Sequence, residues 1–71
     1  MIRFAHDRLR AARESAGLSR PQLAAQVGRH HQSLKRYELD IEPPVTVAAQ
    51  LCRVLGIGLT DLLDNDGPQR A

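Results

Sequence analysis

Tryptophan is absent from this chain of 71 residues, and aromatic side chains make up only 3% of it. Because strands are enriched in aromatic and β-branched residues, this scarcity argues against a β-sandwich. The core must come instead from leucine, valine and alanine, which suit closely packed helices. We therefore expect one small all-α domain, too small for an elaborate enzyme active site.

Cysteine, long apolar runs and a targeting segment are also scarce or missing. The single cysteine, Cys52, excludes an internal disulfide and a zinc site built on cysteines. No apolar run approaches the length of a membrane span, and no charged segment followed by an apolar one opens the sequence. We therefore expect a reducing, cytoplasmic setting without a membrane partner.

The net charge of +2 conceals an uneven distribution along the chain. Residues 1–37 carry eight basic and two acidic side chains, for a charge of +6. Residues 38–71 carry two basic and six acidic ones, for −4. A positive half favours an anionic partner, nucleic acid before any other. An uneven surface without a partner is the alternative interpretation.

Glycine and proline separate apolar stretches that have helical spacing, and no alternation typical of a strand is present. Five helices are predicted, over residues 4–16, 19–27, 31–39, 45–55 and 59–63. The second begins with Ser19 and Gln22 at the spacing of a capping box. The predicted domain covers residues 1–64, and residues 65–71 are predicted to form a flexible polar tail.

The second and third helices fit a helix-turn-helix, because a short turn that contains glycine joins them. We expect Gly28 to take a positive φ in this turn and Ala24 to be small enough for the third helix to cross close above it. Four further side chains are predicted to pack the two helices together: Leu23, Val27, Leu34 and Tyr37. At about 100° per residue, the opposite side of the third helix carries His31, Gln32, Lys35 and Arg36.

These patterns resemble the Cro/C1-type (XRE-family, lambda-repressor-like) helix-turn-helix domain over about residues 4–64. The matching segments are Leu9-Arg10-x-x-Arg13, Gly17-Leu18-Ser19, Leu23-Ala24-x-x-Val27-Gly28, Leu34-x-x-Tyr37-Glu38 and Leu51-Cys52-x-x-Leu55-Gly56. The resemblance implies five helices, no cofactor, and a homodimer that binds operator DNA, often an inverted repeat, with the third helix in the major groove. A repressor that acts by occupying its operator is the expected function.

The resemblance also assigns roles to individual residues. It places base reading on His31, Gln32, Lys35 and Arg36, where glutamine suits adenine and lysine or arginine suits guanine. It places phosphate contacts on Ser19, Arg20, Arg29, His30 and Arg10, although Arg10 is equally well explained as a solvated charge. It implies an ion pair between Arg13 and Glu38 that orients the third helix.

Four apolar residues near the end of the chain exceed what a short fifth helix needs for its own packing: Ile57, Leu59, Leu62 and Leu63. We expect them to form the dimer interface, and closure of the core is the alternative.

Several positions depart from the family's pattern. Arg29 replaces an apolar residue after the turn glycine, and His30 replaces a serine or threonine cap, so a looser turn is expected. Leu39-Asp40 replaces the family's Asn-Gly, and Pro44 stands where a capping side chain is common.

Four other functions are less consistent with the sequence than DNA-binding regulation. An antitoxin that needs a protein partner is the main alternative, although antitoxins generally need more chain to wrap a toxin. An adaptor that binds only proteins would expose an apolar face. A metal site is disfavoured because adjacent His30 and His31 on a helix would point about 100° apart, and Cys52 lies on an apolar stripe. No arrangement of residues resembles a catalytic site, so no enzyme is expected.

Overall fold

The computed structural model describes residues 2–65, and the fold is mainly helical, as the expected all-α class requires. Its elements are β1 (Ile2–Phe4), α1 (His6–Ser15), α2 (Arg20–Gln26), α3 (His31–Tyr37), α4 (Val45–Leu55), a 3₁₀ helix (Leu59–Leu62) and β2 (Leu63–Asn65). Residues 66–71 of the predicted tail lie outside the described part of the chain.

Two short strands correct the expectation that the chain has none. β1 and β2 pair antiparallel, and Phe4 lies opposite Leu63. Each strand has only three residues, which is too few for an alternating pattern to stand out in the sequence. The pairing removes Phe4 from the first helix, which begins at His6, and it places Asn65 in a strand and not in the tail.

The predicted fifth α-helix is a 3₁₀ helix of four residues. Its first turn is held by Asp61, whose carboxylate accepts a hydrogen bond from the backbone N–H of Gly58 at 3.0 Å. Leu62, the last residue of this turn, is fully buried. The turn therefore directs one leucine into the core and leads directly into β2.

Every helix contributes to one core of aliphatic side chains. Its largest fully buried side chains are Leu9, Leu23, Leu34, Leu51, Leu62 and Val47. Phe4 and Tyr37 are partly buried and pack against this core. The core is thus built from leucine and valine with little aromatic content, as the composition predicts.

The two helices of the helix-turn-helix follow the predicted local chemistry. The Ser19 hydroxyl accepts a hydrogen bond from the N–H of Gln22 at 3.2 Å, and the Gln22 side chain accepts one from the N–H of Ser19 at 2.8 Å. Gly28 takes a φ of +69°, which strains residues with a side chain, and Ala24 is buried in the core. The capping box and the glycine turn are therefore present as predicted.

Candidate nucleic-acid interface

The outward side of α3 is polar and exposed. It carries His31, Gln32, Lys35 and Arg36, all of which lie on the surface. The inward side buries Leu34 completely. An α-helix with its side chains is about 10–12 Å across, close to the roughly 12 Å width of the major groove of B-DNA. The geometry of α3 therefore fits insertion into that groove.

The beginning of α3 is capped by an imidazole. Nδ1 of His30 accepts a hydrogen bond from the N–H of Gln32 at 3.2 Å, which replaces the usual hydroxyl cap. The N–H of Arg29 donates to the carbonyl of Ala24 at 2.9 Å and closes the turn. Histidine thus supplies the acceptor that serine or threonine would provide, and the looser turn stays a prediction.

The rings of His30 and His31 stack, with centroids 4.5 Å apart and planes inclined by 26°. They do not point about 100° apart as predicted, because His30 precedes the helix and does not follow helical geometry. Among residues 2–65, no group of three histidine, cysteine, aspartate or glutamate side chains is placed to hold a metal ion.

The end of α3 is held by a buried carboxylate. Glu38 follows Tyr37 at the C-cap, and its side chain is completely buried. Its Oε2 accepts a hydrogen bond from Nε of Arg13 at 2.7 Å, and Nη1 of Arg13 donates to the carbonyl of Leu18 at 2.8 Å. The carboxylate therefore joins α3 to α1, which is the contact that the family resemblance implies.

Arg20 also contacts this carboxylate, which sequence reasoning did not anticipate. Its Nε donates to Oε1 of Glu38 at 3.0 Å, while a third of the Arg20 side chain stays exposed. Arg20 was predicted only as a phosphate contact. Its contact with Glu38 depends on how α2 crosses α3, and no local pattern in the sequence predicts that crossing.

A second missed contact holds the same end of α3. His6, at the start of α1, lies with Nδ1 2.7 Å from the carbonyl oxygen of Tyr37. Because a carbonyl oxygen can only accept, the ring donates this hydrogen bond. Phe4 packs edge-on against the His6 ring at a centroid distance of 5.2 Å. The β1–α1 junction thus holds the C-terminal end of α3.

The other predicted phosphate contacts have varied surroundings. The Ser19 hydroxyl is used in the capping box. Arg29 and His30 are exposed in the turn beside α3. Arg10 lies on α1, where its Nε is 3.2 Å from a carboxylate oxygen of Glu14, one helical turn away. Arg29 and His30 are therefore directly beside α3, whereas Arg10 belongs to a surface ion pair.

The four residues predicted for the dimer interface differ in their burial. Leu62 is fully buried in the core of one chain, so its assignment to an interface is wrong. Ile57 and Leu63 are half-buried, and Leu59 is 44% exposed. Val45, which was not predicted, is 78% exposed and lines with Leu59 a groove of about 170 Å³.

Cys52 behaves as a small apolar residue. It is buried in the core. Burial, and to a lesser extent the charge of Asp61, raise the pKa of its thiol above the ordinary value. Because the thiolate is the reactive form, this cysteine is poorly suited to act as a nucleophile.

The fold and the exposed helix define a DNA-binding domain of the helix-turn-helix class. A family model described as a helix-turn-helix domain matches residues 7–65, and the chain belongs to this family. The match agrees with the resemblance found in the sequence. The comparison with curated proteins gives no match. None of the helices within residues 2–65 has the length and apolar character needed to cross a membrane.

Proposed function

We propose that the protein is a cytoplasmic regulator of transcription that binds double-stranded DNA sequence-specifically, as a repressor of the Cro/C1 type. The observation that carries this proposal is the two-sided character of α3. Its outward side presents only polar side chains, while its inward side is fixed by Leu34 in the core and Glu38 at its end. A helix held in this way can present side chains to base edges in a reproducible orientation.

In the proposed complex, α3 lies in the major groove. Gln32 has the amide geometry to pair with adenine, and the guanidinium of Arg36 has the geometry to pair with guanine. Lys35 and His31 complete the set of base-reading side chains. Arg29 and His30 contact phosphates next to the groove, which positions the protein without reading sequence.

The charge distribution supports the same proposal. Residues 1–37, which include α1, α2 and α3, carry a formal charge of +6. Contacts between basic side chains and phosphates release counterions, so the affinity should fall steeply as salt concentration rises. Repression then follows from steric exclusion, because an occupied operator is closed to polymerase or to a competing regulator.

Selection of bound duplexes from a random DNA pool at physiological salt tests the proposal. We expect enrichment of an inverted repeat with half-sites about one helical turn apart. Enrichment of a single half-site would support sequence-specific DNA binding and contradict the homodimer. If no sequence is enriched, the proposal fails, and an antitoxin that requires a protein partner becomes the better explanation.

Substitution of Arg36 tests base reading directly. We expect Arg36→Ala to lose about 1–3 kcal/mol of binding free energy on the selected duplex and to accept other bases at one position. Arg53→Ala is the matched control, because it removes the same charge from an exposed site on α4. Quantitative binding to the selected duplex and to its single-base variants measures both effects. Equal losses by Arg36→Ala on all duplexes would contradict its base-reading role.

We also propose that the regulator is a homodimer. The support is the exposed groove that contains Leu59 and Val45, which a second copy would cover. We expect Leu59→Gln to raise the dimer dissociation constant at least tenfold, or about 1.4 kcal/mol, in analytical ultracentrifugation. Leu39→Gln is the control, because Leu39 is equally apolar and 60% exposed but lies outside this groove. Equal weakening by both variants, or a wild-type monomer at every concentration, would contradict this interface.

A further inference from the structure

We propose that Arg20 is a positioning residue that orients the recognition helix α3 through Glu38, and that it thereby couples phosphate binding to base reading. This inference rests on the proposed DNA-binding function. It differs from the role of a simple phosphate contact, because the effect of Arg20 on sequence preference is transmitted through a carboxylate that lies entirely inside the protein.

The two arginines at Glu38 are used differently. Arg13 is nearly buried and donates from Nε and Nη2 to the carboxylate and from Nη1 to the carbonyl of Leu18. Arg20 donates only from Nε, and a third of its side chain is exposed. Within residues 2–65, the terminal nitrogens of Arg20 have no hydrogen-bond partner. Arg20 is therefore the member of this cluster that still has donors available at the surface.

The geometry at the carboxylate explains why a second arginine matters. Arg13 approaches from α1 with its shortest contact on Oε2, and Arg20 approaches from α2 with its contact on Oε1. Arg13 also reaches Oε1 through Nη2, at the longer distance of 3.5 Å. Arg20 adds a shorter contact to Oε1 from a second helix, so the end of α3, two residues beyond the proposed base-reading Arg36, is tied to α2 as well as to α1.

The charges of the cluster favour the same role. One buried carboxylate faces two guanidinium groups, so these three groups carry one positive charge in excess when all are ionised. The carboxylate of Glu14, 3.8 Å from Nη2 of Arg13, is more than half exposed and offsets this excess only in part. A phosphate oxygen placed at the terminal nitrogens of Arg20 would neutralise this excess. Arginine can bind both partners at once because its guanidinium has five donors on three nitrogens in a fixed plane, whereas lysine has three donors on one nitrogen and would need both partners at that single atom.

Substitution by lysine separates positioning from charge. Arg20→Lys keeps the positive charge but loses the planar guanidinium. We expect the ratio of affinities for the selected duplex and for a scrambled duplex of the same length to fall about tenfold, with little loss on the scrambled duplex. Because charge is kept, the salt dependence should change little. Arg53→Lys, an exposed exchange on α4, should leave the ratio unchanged.

A measurement without DNA tests the contact itself. In NMR spectra of isotopically labelled protein, the Nε–H group of Arg20 should exchange with water more slowly than that of Arg53, because it is hydrogen-bonded to a buried acceptor. Equally fast exchange of the two groups would overturn the inference. Because this measurement needs no DNA, it detects the contact between Arg20 and Glu38 even where a substitution alters DNA binding for another reason.

The outcomes separate this inference from the proposed function. If wild-type protein binds selected and scrambled duplexes equally, sequence-specific DNA binding fails and the inference falls with it. If wild-type protein discriminates but Arg20→Lys keeps the ratio, or loses the same factor on both duplexes, only the role of Arg20 is overturned. A fall confined to the selected duplex, together with slow exchange of the Arg20 group, supports it.

Discussion

Replacement of Glu38 by alanine should lower the free energy of unfolding by about 3–5 kcal/mol, because it leaves the nearly buried guanidinium of Arg13 without its carboxylate. A domain of 71 residues has a total stability of roughly 4–10 kcal/mol. The variant should therefore retain little stability at 25 °C. Urea denaturation followed by circular dichroism measures the change.

Glu14→Ala provides the matched control for this experiment. Glu14 also lies near Arg13, with a carboxylate oxygen 3.8 Å from Nη2, but more than half of its side chain is exposed. Exposed ion pairs contribute about 0–1 kcal/mol, so Glu14→Ala should change the stability very little. Similar losses for Glu14→Ala and Glu38→Ala would show that burial of the carboxylate does not determine its contribution.

Leu62→Ala should destabilise the fold by about 2–5 kcal/mol through loss of buried apolar surface and formation of a cavity. The loss should not depend on protein concentration, because the side chain contacts the core of its own chain. Leu59→Ala is the control, since its side chain is partly exposed and its removal leaves no enclosed cavity. Denaturation at two protein concentrations distinguishes the two sites.

The opposite result of the denaturation experiment would place Leu62 in the dimer interface. In that case Leu62→Ala would leave the unfolding of the monomer unchanged and weaken only the association of two chains. The structure favours the first result, because Leu62 belongs to the same buried cluster as Leu9 and Leu51.

The helix-turn-helix could be predicted from sequence because its determinants are local. Ser19 and Gln22 are three residues apart, and Gly28 takes the positive φ that a short turn requires. The exposed side of α3 follows from helical periodicity alone. Contacts between neighbouring residues leave a visible pattern in the sequence, and this pattern was sufficient to identify the family.

The contacts that were missed join residues far apart in the chain. Arg20 meets Glu38 only because α2 crosses α3, and His6 meets Tyr37 across 31 positions. For Leu62, a turn of four residues is too short for periodicity to distinguish the inward side from the outward side. Sequence reasoning therefore gave the exposed side of α3, the residues that pack α2 against α3 and, through the family resemblance, the Arg13–Glu38 pair, and it missed the contacts of Arg20 and His6 that also hold the end of α3.

The pairing of β1 with β2 bears on the order in which the chain folds. Joining Phe4 to Leu63 closes a loop of about 60 residues, which costs about 2 kcal/mol more in chain entropy than a hairpin loop of about four residues. Three residue pairs contribute little stabilising free energy, so the strands pair stably only after the helices have brought them together. The strands should therefore form late and be the first to separate in native-state fluctuations, while α2 and α3 stay packed.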